Sequence, residues 1–339
     1  MKATSKTEKQ DADRGSIPMS FLERARQNPR IGDPEWFNAR REDRKPKKDK
    51  KSEGGILVPK HLLKGANKLV HPSFVPAEAG FSLLPRPIGR QTQRLLKTFS
   101  GQKVIPLNST FLQGGDDRQV YFDGANYPYC CIGRVATPGG WGTGTLAGRN
   151  FILTAAHVVG GLWTPGQPLT QSISFVPAMF NGTSSLGPTW TANVTNIAAW
   201  DATASVVGYD MAILQLDQPM GDWLGYFGSR GYSEDWEDHA YWEHNGYPYD
   251  LSPNGVDPCY QFGVTINDDD NDDHDTVELE TDADVASGQS GGPIHGYFDN
   301  GGFQIVGVLG GNISDESSNV FAGGSGLNAL VKWGRDNWG

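Results

Sequence analysis

The sequence predicts an all-β fold, a barrel or sandwich of short antiparallel strands. A basic, largely disordered segment precedes it and one short helix ends it. Three observations carry this. The 339 residues include 44 Gly and 21 Pro, with 11% aromatics, a composition suited to many turns between short strands. From about residue 103, short apolar or alternating runs are punctuated by Gly, Pro, Asn or Asp. Charge divides the chain near residue 100: residues 1–100 hold 22 Lys and Arg against 11 Asp and Glu, and residues 101–339 hold 7 against 28.

Residues 1–53 are polar and charged, ending in "RREDRKPKKDKKSE". They cannot bury enough apolar surface to offset the entropy of ordering, so they read as disordered. Residues 54–100 carry apolar clusters such as "GILV" and "HLL" among prolines and basic residues, too sparse to build a core. The reading is therefore a basic segment, 1–102, and a folded domain, 103–339. The basic segment either folds back onto the acidic domain or stays solvated, with nucleic-acid binding a weaker third reading. The start "MKATSKTEKQDADRG" has no apolar core and does not read as a secretory signal. No apolar run approaches the roughly 20 residues needed to cross a bilayer, so no membrane partner is expected. No internal repeat is visible.

In the folded domain "YCCIGRVA", "GTGTLAG", "NFILTAAHVV", "SISFVPA", "MAILQL", "CYQFGVTI", "TVELET" and "FQIVGVLGG" read as strands. In "SGLNALVKW", Leu327, Leu330 and Val331 recur at helical spacing, which predicts the short terminal helix. The three cysteines, Cys130, Cys131 and Cys259, form neither a disulfide framework nor a zinc pattern. One bridge, from Cys130 or Cys131 to Cys259, is open to them. The tract "NDDDNDDHD" (267–275) lacks the Gly and terminal Glu of an EF-hand loop. It reads as a solvated hairpin tip, with calcium binding the lesser alternative. Sequons begin at Asn108, Asn181, Asn193 and Asn312.

One stretch, "ASGQSGGPIH" (286–295), points to chemistry. Acyl transfer by serine needs a base, a carboxylate to orient it, and backbone N–H groups aimed at the oxyanion. Ser290 is the candidate nucleophile, and the N–H groups of Gly288 and Ser290 are candidate oxyanion donors. The alternative is a Ser/Gly-rich hairpin loop. His157, ending the apolar run "FILTAAHVV", is the candidate base; alone it reads equally as a core histidine. His61, His71, His239, His244, His274 and His295 lack such a setting, and a metal pair at His239 and His244 is a minor alternative. Asp210 in "GYDMAILQLDQP" is the candidate carboxylate, ahead of Asp201 and Asp217. Alone it would pass for a turn residue at a strand start.

"LTAAH", "YDMAIL" and "SGQSGGP" resemble the three catalytic boxes of the chymotrypsin-like serine proteases, in that family's His–Asp–Ser order. "KVIPLNSTFLQGGDDRQVY" and "HNGYPYD" resemble the mature start and the Gly-Tyr-Pro segment of its glutamyl-endopeptidase branch. The similarity covers roughly residues 103–334. It implies two six-stranded antiparallel β-barrels, with His157 and Asp210 from the first and Ser290 from the second. It also implies polypeptide substrates, no cofactor, secretion, and a propeptide removed near Val104.

The sequence departs from the family in several places. Val158 follows His157 where many members have a bridged cysteine, and Trp141 stands where the partner would be, so packing must replace the bridge. Gln289, not Asp, precedes Ser290, so activation by pairing a freed N-terminal amine with that Asp should not operate. Leu309 and Val285 replace the polar groups that grip glutamate in the glutamyl-specific enzymes, which argues against Glu specificity because a buried carboxylate without partners is costly. Asp284 stands where trypsin-like enzymes place the acid that binds Lys or Arg, and Gly310 and Gly311 suggest an open pocket wall. The expected protein is a serine endopeptidase made as a precursor. The alternatives are a catalytically silent binding module on the same scaffold and an intracellular quality-control protease. The absence of a PDZ-like segment after the barrel weighs against the latter.

Overall fold

The computed structural model describes residues 54–77, 79–80, 110–112, 115–121, 124–202, 206–271, 276–312 and 318–339. The expected disorder of residues 1–53, the expected start near Val104 and the tip of the acidic hairpin lie outside them.

The first barrel is built from β1 (Gly55–Leu57), β2 (Val70–His71), β3 (Ile132–Thr137), β4 (Gly140–Leu146), β5 (Phe151–Thr154), β6 (Ser174–Pro177), β7 (Ala192–Ala199) and β8 (Ala212–Leu216), less β2, which joins the second sheet. The order is β1-β7-β8-β5-β4-β3-β6, and β6 pairs again with β7. Six strands thus close on themselves and β1 lies outside as a parallel addition to β7. "FILT" is buried at all four positions of β5. That continuous apolar run suits a strand covered on both faces.

The second sheet comprises β9 (Gly228–Arg230), β10 (Trp242–Gly246), β11 (Cys259–Val264), β12 (Ile266–Asn271), β13 (Thr276–Thr281), β14 (Pro293–Phe298), β15 (Gly302–Asn312) and β16 (Asn319–Gly323). Its path is β12-β13-β16-β15-β14-β10-β11, with β9 bridging β2 and β15. By its hydrogen bonds this is an open half-barrel, where a second closed barrel was expected. Beyond β11 the path ends in the two-residue strand Gln119–Val120; β11 and β12 are consecutive in the chain and separated by Thr265 alone, so a bend rather than a ladder joins them. The acidic tract, expected as a hairpin tip, instead supplies most of β12 itself, which pairs with β13.

The terminal helix α1 (Gly324–Trp338) runs 15 residues and buries Leu327, Leu330 and Val331. It also binds a segment that the sequence read as too sparse for a core. Val58, Leu63 and Ala66 are buried in the main hydrophobic cluster. The Asn328 amide donates to the carbonyls of Ala66 and Leu69, each at 3.1 Å, and Arg335 donates to the carbonyl of Pro72. Gly54 has φ +79°, and a Cβ there would lie 1.8 Å from the Gln167 carbonyl oxygen, so only glycine fits this approach. Packed chain therefore begins well before the expected boundary at 103. Its apolar residues are few, but the barrel and helix supply the other side of the contact.

All three cysteines are buried and unbridged, so the Cys259 pairing does not form.

Candidate active site

The register of two neighbouring strands places the first pair of groups. Thr154 of β5 lies opposite Ala212 of β8. Beyond Thr154 the chain turns through a short 3-10 helix, Ala156–Val159, that carries His157. Asp210 caps another, Val207–Tyr209, just before β8. Both side chains therefore leave the same rim of the barrel. His157 Nδ1 lies 2.6 Å from Asp210 Oδ2, and the His157 backbone N–H donates to Oδ1 at 2.9 Å. Both carboxylate oxygens are engaged by one residue, which fixes the imidazole's orientation and leaves Nε2 outward. The His157 side chain is 39% exposed and that of Asp210 8%. The rival Asp217 is held by Asn193, through its N–H and its Nδ2 at 2.9 Å each.

Ser290 is half-buried in the turn before β14. The turn is tied to the first barrel and to β15. Thr143 N–H donates to the Ser290 carbonyl at 2.8 Å, Gly291 N–H to Leu309 O and Leu309 N–H to Gly292 O. A Cβ on Gly142 would meet the Val158 side chain at 2.7 Å and Ser290 O at 2.9 Å. Ser290 thus adjoins the strand rim that carries His157. Gly288 has φ +94°, and a Cβ there would strike the Trp141 indole and Tyr247 O at 2.4 Å. Among the described residues, neither the Gly288 nor the Ser290 N–H donates to any acceptor.

The packing that stands in for the missing bridge is Val158 against Gly142. Trp141 turns elsewhere: its indole N–H donates to Tyr247 O at 2.9 Å.

The expected pocket residues are placed as follows. Val285 and Leu309 are buried in the core of the second sheet. Gly310 lies against the Asp210 carboxylate, where a Cβ would come within 3.2 Å of Oδ2, whereas Gly311 has open space around it. Asp284 is buried and its Oδ2 accepts from Asp117 N–H at 2.8 Å and Gln261 Nε2 at 3.3 Å. His239 is exposed and His244 is buried, its Nδ1 on Pro293 O at 3.0 Å, so they form no metal pair. Among the described residues no cluster of three or more ligand side chains could hold a metal.

Several residues escaped the sequence reading. Thr143 docks the first barrel on the Ser290 turn through the Gly288 carbonyl and on the adjoining loop through the Tyr247 N–H. Arg118, buried, binds Asp116, Asp250 and Gln289. A signal existed: "DDR" holds one of the 7 basic residues in an acidic stretch of 239. Beneath the turn lies a buried polar row. Tyr129 Oη donates to Glu243, Asn245 Nδ2 donates to Glu243 Oε1 at 2.9 Å, and His295 Nε2 lies 2.6 Å from Asn245 Oδ1. Burial raises Glu243 to about 8 and lowers His244 and His295 to about 4 and about 3.

The fold is that of a chymotrypsin-like serine protease. The trypsin family model matches residues 124–333, and the chain belongs to the trypsin family as a serine-type endopeptidase. Among solved structures, a Glu endopeptidase in complex with MPD is 23% identical, with TM-score 0.54, covering 66% of this chain and 99% of that one. The protease Anisep from Arthrobacter nicotinovorans is 21% identical, with TM-score 0.43, covering 60% and 96%. None of the curated proteins compared matches the sequence. Among the described residues no helix is long and apolar enough to cross a membrane.

Proposed function

We propose that the chain hydrolyses peptide bonds in polypeptides through an acyl-enzyme on Ser290. The observation that carries this is the His157–Asp210 pair, with both carboxylate oxygens spent on one histidine at the rim that meets the Ser290 turn. Ser290 Oγ attacks the scissile carbonyl while His157 Nε2 takes its proton. Asp210 holds the Nδ1–H tautomer and stabilises the imidazolium. The two undonated N–H groups, Gly288 and Ser290, receive the oxyanion. His157 then protonates the leaving amine, and water, deprotonated by His157, releases the acid and regenerates Ser290. The scheme uses no cofactor.

The pocket residues support a neutral side chain at the cleaved position. Asp284 already receives Asp117 and Gln261, which argues against a Lys or Arg preference through its carboxylate. Val285 and Leu309 offer no partner to a glutamate, since both are apolar and buried. The chain is made as a precursor and secreted by this reading. A cut near Val104 would leave residues 54–77 attached by packing, strand pairing and hydrogen bonds without a covalent link.

The test is labelling of the full chain with a fluorophosphonate, read by peptide mass spectrometry. Modification of Ser290, abolished by His157→Ala, is expected. A folded chain that takes no label, whether whole or cut near Val104, would instead be a silent binding module.

A further inference from the structure

We propose that Arg118 is the positioning residue of the Ser290 turn, acting through Gln289. The proposal rests on the reading of Ser290 as nucleophile.

Arg118 Nη1 donates to Gln289 Oε1 at 2.8 Å, across 171 residues of sequence. The same oxygen accepts the Ala286 N–H at 2.9 Å, and the Gln289 N–H donates to Ala286 O at 3.0 Å. The turn from Ala286 to Gln289 is thus closed once by backbone and once by side chain. Arg118 decides which way the Gln289 amide faces, because a flipped amide would set its NH2 against the guanidinium. Gln289 Nε2 is buried with no acceptor among the described residues. Leaving a buried donor unpaired is costly, so the oxygen's two bonds hold this orientation against that cost.

Arg118 is itself immobile. Its Nε and Nη2 donate to the two oxygens of Asp116 at 3.0 Å each, and Nη1 and Nη2 donate to the two oxygens of Asp250 at 3.2 and 2.6 Å. Its side chain is fully buried. A planar guanidinium can serve three acceptors in fixed directions, which an ammonium cannot. The adjoining Asp117 N–H holds Asp284, at the other end of the same turn, and Thr110–Phe111 pairs with Val285–Ala286 between them. Residues 110–111 and 117–118 therefore grip residues 284–289 along their length.

Gly288 and Ser290, the two oxyanion donors, flank Gln289. The Ser290 N–H belongs to the Gln289–Ser290 peptide and the Gly288 N–H to the Ser287–Gly288 peptide inside the same closed turn, so rotation of either would turn an N–H away from the substrate. The cation that orders this turn is a side chain present before any cut. Order at Ser290 therefore needs no new N-terminal amine.

The test uses the full chain, uncut, as parent, Gln289→Met, Arg118→Lys and the double variant. It reads the fluorophosphonate rate at Ser290, kcat and KM on a peptide substrate, and thermal stability. Gln289→Met leaves Arg118 both of its carboxylates, so folding should persist. Its labelling rate and kcat should fall about 10- to 100-fold, the scale of a misplaced reacting group, with KM within about twofold. Arg118→Lys should move the same quantities, and the double variant should be no slower than the slower single one, since Arg118 acts through Gln289. If Gln289→Met is folded and labels within about twofold of the parent, the positioning role is overturned. It is also overturned if the uncut parent is silent and a chain cut before Arg118 labels at a rate indifferent to Gln289→Met. A parent that never labels, cut or uncut, removes the nucleophile reading and this role with it; a parent that labels alongside unaffected variants removes the role alone.

Discussion

The hydroxyl of Thr143 donates to the carbonyl of Gly288 at 2.9 Å and accepts the N–H of Tyr247 at 3.1 Å. One side chain of the first barrel thus fixes the backbone of two loops of the second. Thr143→Val keeps the shape and removes both bonds. Each buried group left unpaired costs about 1–3 kcal/mol. At roughly 2–4 °C per kcal/mol for a domain of this size, calorimetry should show a fall in melting temperature of several degrees. An unchanged melting temperature would show that the two loops do not depend on this hydroxyl.

Asp210→Asn should lower kcat by about 10⁴-fold, because an amide donor beside Nδ1 favours the wrong imidazole tautomer. The carboxamide oxygen can still accept the His157 N–H, so the fold should persist. Steady-state kinetics beside a melting curve separates the two effects. A loss of activity that merely tracked a loss of fold would count against the orienting role.

Peptide libraries varied at the cleaved residue should favour neutral side chains over both Glu and Lys by about tenfold or more, the cost of burying an unpaired charge. The prediction follows from Asp284 being held by Asp117 and Gln261. A Lys or Arg optimum would mean that Asp284 releases these partners when substrate binds.

The buried row beneath the turn makes stability pH-dependent in two opposed ways. Burial lowers His244 to about 4 and His295 to about 3 from 6.5. Below pH 6.5 the unfolded chain binds more protons than the folded one, so their contribution is full above 6.5 and is lost as pH falls through the folded values. Burial raises Glu243 from 4.5 to about 8. Its contribution is full below 4.5 and is lost as pH rises through 8. Between pH 6.5 and 8 Glu243 is the member of this row that differs between the two states. Glu243→Gln should therefore flatten the decline in melting temperature across that window, as calorimetry at the two pH values would show. An identical slope in both proteins would exclude Glu243 as its source.

A cut within residues 81–109 should leave the segment 54–77 bound. Leu63, Ala66 and the Asn328 amide bonds hold it from inside the domain. Gel filtration of the nicked protein followed by mass spectrometry should recover both pieces in one peak. Release of the short piece under native conditions would show that these contacts do not suffice.

How much of this was legible depends on distance along the chain. The boxes around His157, Asp210 and Ser290 are local: each is a strand end or turn whose few residues carry their own geometry, so sequence alone could name them as candidates. The terminal helix was legible for the same reason, through Leu327, Leu330 and Val331. Arg118 was not, because its partner Gln289 is 171 residues away. An arginine beside two aspartates looks solvated until the fold buries it. "GILV" and "HLL" look weak because Leu63 finds its apolar partners in distant elements. The position of Asp284 was legible, but its partners Asp117 and Gln261, 167 and 23 residues away, were not.

The three thiols carry a last consequence. Cys130, Cys131 and Cys259 are buried and unlinked, and burial raises Cys131 well above the usual thiol range and Cys259 to about 12. Such thiols are poor partners in exchange, which needs an accessible thiolate. Architecture here carries no cross-link for a reductant to open. Glutathione that would loosen a bridge-dependent relative should leave this chain's packing untouched, so its shape is the same in reducing and oxidising surroundings.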